Sequence, residues 1–242
     1  MLQLVGALAT ALLAALLATS FAGLRRLRRI QLRAPPFNQE SEELLLVIAH
    51  PDDESMFFLP TCLAFKRKRI LCLSNGDFDG LGKVREKELN KAAQLLGFTE
   101  VYFSDFVDGF NEHWDAQRIA EAVADKVGKE TVIVTFDRWG VSGHPNHIAT
   151  HNGVRELVRR SPGTRAFQLV SDRWLPIKYS GPIGAYLKAL FGSPKDTVVL
   201  LNDDVSLAYR AMATHHSQFV WFRRAFVLIA RCTMLNVLER IS

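Results

Sequence analysis

Cysteine is scarce in this chain. The three copies, Cys62, Cys72 and Cys232, form an odd set without a Cys-x-x-Cys pair. That argues against a disulfide framework and fits a reducing compartment; Cys62 and Cys72, in apolar surroundings, read as core. Acid is missing altogether from residues 1–33, which carry five arginines, whereas residues 34–242 carry 25 basic and 25 acidic residues. The net charge of +5 therefore sits at the N-terminus, and the neutral remainder gives nucleic-acid binding little support. No long stretch has the composition of a disordered segment. A hydrophobic content of 48% over 242 residues suffices for one catalytic domain plus an anchor or tail.

Charge is also absent from Met1 to Leu24, and Leu4 to Leu17 is almost wholly Leu, Ala, Val and Gly. A helix over residues 2–23 would be about 33 Å long, enough for a hydrocarbon core of about 30 Å. Arg25, Arg26, Arg28, Arg29 and Arg33 follow at once, which predicts a lumenal N-terminus and a cytosolic domain. A cleaved signal peptide is the rival, with small residues at Ser20-Phe21-Ala22-Gly23. It would want a basic n-region and a shorter apolar run. The expected organisation is an anchor over 1–24, a basic flank and Pro-containing linker over 25–40, and a domain over 41–242.

The domain is built around Leu44-Leu45-Leu46-Val47-Ile48-Ala49-His50-Pro51-Asp52-Asp53-Glu54. The aliphatic run reads as a strand buried on both faces, and its carboxyl end is where open α/β sheets place ligands. His50 and Asp53, three apart in a tight turn, suit a zinc ion or another divalent transition metal. Alone, the three acids could equally serve the start of the next helix. A second apolar run, Thr131 to Phe136, precedes Gly143-His144-Pro145-Asn146-His147. Two strand ends that each deliver histidine favour one shared metal site.

These motifs resemble the PIG-L/LmbE-like deacetylases, zinc enzymes that remove N-acetyl groups from amino sugars. The resemblance runs from about Leu44 to Phe222. It takes in Arg85-x-x-Glu88 before Leu95-Leu96-Gly97, Asp108-Gly109, and His215 to Arg223. It implies an α/β fold, a Rossmann-like, mainly parallel sheet with helices on both faces. It implies zinc on His50, Asp53 and His147, with Asp52 as general base and His144 stabilising the oxyanion or protonating the leaving amine. Arg85, Glu88 and His215 become expected substrate-pocket residues, Arg85 toward an inositol phosphate. Many relatives have His-Pro-Asp-His where this chain has Asn146, which removes a carboxylate partner expected for His144. The anchor and C-terminal stretch point to members acting on N-acetylglucosaminyl-phosphatidylinositol in glycosylphosphatidylinositol (GPI)-anchor synthesis at the endoplasmic reticulum membrane. A soluble amino-sugar conjugate is the alternative substrate.

Elsewhere the pattern predicts a helix from Glu54 to Phe65, broken at Pro60, and a solvated basic run Lys66 to Arg69 before a strand at 70–73. A loop over 74–82 lines the site. Lys83 to Leu96 and Asp115 to Val127 read as amphipathic helices, flanking a short strand at 101–103. Pro145 suits the first turn of a helix that carries His144, His147 and His151 on one side, His151 as a structural or supporting residue. Strands are expected at 167–170 and 198–201. The segment 174–191 reads as irregular, roofing the site or lying against a bilayer. Residues 206–237 read as one or two helices, whose stretch 219–229 lies on a membrane or packs on the domain.

Overall fold

The computed structural model describes residues 2–30, 36–191 and 197–242. In chain order the elements are α1 (Leu2–Ile30), β1 (Glu43–Ile48), α2 (Asp53–Met56), α3 (Leu59–Ala64), β2 (Arg67–Cys72) and α4 (Gly82–Leu96). There follow β3 (Glu100–Phe103), α5 (Ala116–Ala124), β4 (Thr131–Phe136), α6 (Gly140–Gly143), α7 (Pro145–Arg160) and β5 (Ala166–Leu169). The chain closes with α8 (Leu175–Lys178), α9 (Gly181–Phe191), β6 (Thr197–Leu201), α10 (Val205–Thr214), α11 (Trp221–Ile229) and β7 (Leu235–Arg240).

Seven strands form one sheet in the order β3-β2-β1-β4-β5-β7-β6. The pairs β3-β2, β2-β1, β1-β4 and β4-β5 are parallel, and only β7 runs against its neighbours. β1 is buried on both faces. Its Leu44, Leu46 and Ile48 join the core beneath α2, α3, α4 and α10, while Leu45 and Val47 join the core beneath α5 and α7. An unbroken aliphatic run is what such a strand needs. The chain winds outward through β2 and β3, then returns to place β4 on the other side of β1. The crevice at a switch point of this kind is where α/β sheets bind ligands.

Four expectations change. The helix after β1 breaks at Phe57-Phe58, and Pro60 sits in the first turn of α3, where its missing N–H is harmless. The basic run 66–69 lies largely inside β2. Lys68 is buried and donates Nζ to the Cys62 carbonyl at 2.7 Å, and Arg69 pairs with Glu43 at 2.6 Å. The segment 174–191 contains α8 and α9. Residues 206–237 hold two helices and the start of β7, which pairs with both β5 and β6.

α1 continues through Arg25 without interruption, so the basic flank begins as helix. Arg33, Ala34 and Pro35, part of the expected linker, lie outside the described residues. Leu24 is buried with Ala185, Ala189 and Met234, and Phe21 and Leu27 pack beside it. Gly23 allows this approach, because a Cβ there would fall 2.2 Å from Cε2 of Tyr186. Gly6–Leu27 is long and apolar enough to cross a membrane.

Candidate active site

Both motifs emerge from carboxyl ends at the switch point. After β1 the chain turns through Asp52 at φ 119°, a left-handed conformation costly for any residue but glycine. The backbone N–H groups of Ala49 and His50 donate to Asp53 Oδ2 at 3.1 and 2.9 Å, fixing that carboxylate. After β4, Asp137 accepts from the N–H groups of Trp139 and Gly140 and from Ser171. Val141 is also held left-handed, with its N–H donating to Ser171 Oγ and its carbonyl accepting from Lys178 Nζ. His144 caps α7: its Nδ1 accepts from Asn146 N–H at 3.2 Å.

Three side chains converge. His50 Nδ1 lies 3.3 Å from His147 Nε2, which lies 3.3 Å from Asp53 Oδ1; Asp53 Oδ2 is 4.0 Å from His50 Nδ1. The far ring nitrogens assign the tautomers. His50 Nε2 faces only acceptors, Asp108 Oδ1 at 2.9 Å and Asn146 Oδ1 at 3.1 Å, so it carries the proton. His147 Nδ1 donates to the Gly140 carbonyl at 2.9 Å, and its ring stacks on Phe136. When the rings are neutral, the facing nitrogens turn lone pairs toward the Asp53 carboxylate. Against the burial that would lower it, Asp108, Asp53 and Asp52 raise the His50 pKa when no cation is bound, favouring its protonated form. Burial would raise the Asp53 pKa, but His147 and then His50 outweigh it and hold it well below the usual range. Lone pairs and a carboxylate at this spacing repel unless a proton or a metal cation lies between them. Tetrahedral ligands at 2.0–2.1 Å from an ion stand about 3.3 Å apart, so the donor set fits a metal. Anchored far nitrogens are the expected support for such imidazoles.

His144 also brings a ring nitrogen within 4.8 Å of those of His50 and His147. Its Nδ1 is already committed to the α7 cap, so its proton sits on Nε2. Burial, and then the neighbouring His50 and His147, push its pKa down to about 4. It is a neutral hydrogen-bond donor at pH 7, not an imidazolium. The exposed ring of Phe110 stands 4.4 Å from it, centroid to centroid. Asp52 is buried, and its Oδ2 has no hydrogen-bond partner. Arg223 Nη1 lies 3.5 Å and Arg85 Nη2 3.7 Å from that oxygen. Burial raises the Asp52 pKa, against the pull of Arg223 and Arg85.

The expected pocket residues are placed differently. Arg85 is buried and donates to the carbonyls of Gly76 and Pro51, tying the loop after β2 to the turn after β1. It faces Asp52 and Asp108 instead of an open phosphate site. Glu88 spends both oxygens on Ser217, accepting from its N–H and its hydroxyl at 2.7 Å each. His215 pairs with Glu54 at 2.6 Å, and both are fully buried behind the turn. These two are braces, not walls of an open pocket. The Oδ1 of Asn146 accepts from His50 Nε2 and from the Gly109 N–H. His151 Nδ1 donates to the Phe136 carbonyl, pinning α7 to β4. Sequence reasoning gave no role to Asp108, Asn146 and Arg223 in this geometry. Asp108 stood in a quoted motif, but only folding shows it behind His50.

A family model described as PIG-L, GlcNAc-PI de-N-acetylase, matches residues 45–158. A probable N-acetylglucosaminyl-phosphatidylinositol de-N-acetylase of Schizosaccharomyces pombe is 37% identical over 216 residues, covering 82% of this chain and 87% of that protein. The N-acetylglucosaminyl-phosphatidylinositol de-N-acetylase of Bos taurus is 36% identical, covering 81% and 82%. Among solved structures, N,N'-diacetylchitobiose deacetylase from Pyrococcus horikoshii superposes with a TM-score of 0.55 at 17% identity, over 74% of this chain and 71% of that one. That likeness speaks for the fold alone. Identity sustained over four-fifths of both chains carries more, and by it this chain belongs to the PIG-L family.

Proposed function

We propose that the chain hydrolyses the N-acetyl group of N-acetylglucosaminyl-phosphatidylinositol, giving glucosaminyl-phosphatidylinositol and acetate. The observation that carries this reading is the convergence of His50 Nδ1, His147 Nε2 and Asp53, with the unpartnered oxygen of Asp52 on the adjoining residue. The relatives named above supply the substrate. His50, Asp53 and His147 hold a divalent ion, zinc by the character of the donors. When bound, it would supply Lewis acidity to the acetamide carbonyl and acidity to water.

The chain's own groups do the rest. Asp52 takes a proton from the attacking water on its carboxylate, and its raised pKa suits that task. His144 donates Nε2–H to the oxygen of the tetrahedral species as the negative charge develops there. The amide C–N bond then breaks, and the proton held on Asp52 passes to the leaving nitrogen. Because His144 is neutral, the proton for the amine is assigned to Asp52. α1 crosses the endoplasmic reticulum membrane with the domain on the cytosolic side, in line with the arginines that follow it. A diacyl substrate stays in the bilayer, so an anchored enzyme meets it there.

The test is acetate release by purified full-length chain from N-acetylglucosaminyl-phosphatidylinositol in vesicles, paired with elemental analysis. Acetate release that depends on about one bound transition metal per chain is expected. Full activity in chain stripped of metal would reject the assignment, as would cleavage of soluble amino sugars with none of the lipid.

A further inference from the structure

α11 is oriented against the usual rule for a surface helix. Trp221, Phe222, Leu228 and Ile229 fall on one side at helical spacing, with the small Ala225 between them, and that side faces outward. Trp221 is 78% exposed and Phe222 54%. Its inward side carries Val227, buried, and Arg223, which reaches Asp52. A soluble domain would bury the apolar stripe and solvate the guanidinium. α9 repeats the pattern: Leu187, Leu190 and Phe191 point outward, Phe191 with 82% exposure, opposite buried Ala185 and Ala189. Trp174 and Leu175, at the start of α8, are likewise exposed.

The three helices adjoin one another. A Cβ on Gly181, at the start of α9, would meet the backbone of Ile229 at the end of α11. The ring of Tyr179, just after α8, stands edge-on to Phe226 of α11 at 6.2 Å. Contiguous exposed apolar groups on this scale mark an interaction site, and aromatic residues at the water boundary mark a membrane one.

What identifies the occupant is α1. Its exposed apolar length, including Leu8, Leu12 and Leu16, ends in a turn locked to α9 through Leu24 and the Gly23–Tyr186 contact. Gly6–Leu27 measures about 33 Å, so its last two turns lie at the boundary between acyl chains and headgroups. α9, packed on those turns, is held at the same depth. We infer that the outward face of α8, α9 and α11 is a membrane-docking surface, seated in the headgroup–acyl boundary of the bilayer that α1 crosses. Docking sets α11 between the lipid and the catalytic turn, with aromatic rings on one side and Arg223 on the other. The inference builds on the crossing by α1 but is independent of the reaction proposed above.

Full-length chain is reconstituted in phosphatidylcholine vesicles with and without brominated acyl chains, and the emission of wild type and Trp221→Phe is compared. The difference isolates Trp221. Bromolipid is expected to quench that difference at least about twofold, while aqueous iodide leaves it unchanged. In a Leu228→Glu/Ile229→Glu variant the chain should still float with vesicles but lose the bromolipid quenching. Both substitutions fall on exposed positions, and circular dichroism confirms the fold. Flotation with Trp221 open to iodide overturns the inference, as does protection of Trp221 from both quenchers, which would assign the face to a second copy or another protein. Failure to float overturns the crossing by α1 and this inference with it.

Discussion

α7 and α11 each send one side chain to an acid of the same turn, yet their outer surfaces are opposites. α7 brings His147 to Asp53 and shows solvent Asn152, Arg155, Arg159 and Arg160. α11 brings Arg223 to Asp52 and shows solvent Trp221, Phe222, Leu228 and Ile229. Neighbouring carboxylates in one tight turn are thus contacted by different helices. Asp53 is held ionised among imidazoles; Asp52 is desolvated beside guanidinium groups, with an oxygen that accepts no hydrogen bond. Two adjacent acids of one sequence acquire separate surroundings because of what packs against each.

That contrast can be broken at several points. The largest effect is expected on the α7 side. His147→Ala removes a proposed ligand and should abolish measurable turnover, a loss of at least ~10,000-fold, with bound metal lost in elemental analysis. Asp52→Asn should cost roughly 1000-fold in kcat while leaving metal content at the wild-type level; loss of metal there would merge the roles of the two acids. His215→Ala leaves Glu54 buried without its partner and should lower stability by about 3 kcal/mol in denaturant titration. An unchanged midpoint would return His215 to the substrate pocket. Arg223→Gln weakens a partly exposed ion pair to Asp52 and should slow turnover on the order of 10-fold, or about 1.4 kcal/mol, with metal retained. At the small end, Arg159→Ala on the outward face of α7 should leave the denaturation midpoint indistinguishable from that of the wild type. The pair it makes with Glu156 is exposed to solvent.

Much of this was legible in the chain. β1 and β4 announce themselves because strands buried on both faces need continuous aliphatic residues, and the histidines follow directly at their carboxyl ends. Pro145 and Gly97 mark α7 and α4 through backbone constraints that act locally. What stayed hidden depends on distant partners. β7 reads as helix or loop because its residues gain strand character only by pairing with β5 and β6. Lys68 looks solvated until the Cys62 carbonyl is seen above it. Glu88 and His215 carry the residue types of a pocket but are consumed by Ser217 and Glu54. Arg223 sits in a stretch whose apolar neighbours suggest membrane or core, and only the turn of α11 reveals that it points the other way.

The notch at Gly23 carries a consequence for selectivity. A polypeptide leash would let the catalytic body roam over a range of heights and tilts. Here the ring of Tyr186 fills the notch, so the shaft packs directly on the body. On the proposed crossing of a bilayer by the shaft, the crevice would stand at one elevation and one bearing above the lipid. Reach then becomes a criterion of choice: a glycolipid whose acetamide sits too near its fatty chains, or too far from them, fails to meet the catalytic turn whatever its chemistry.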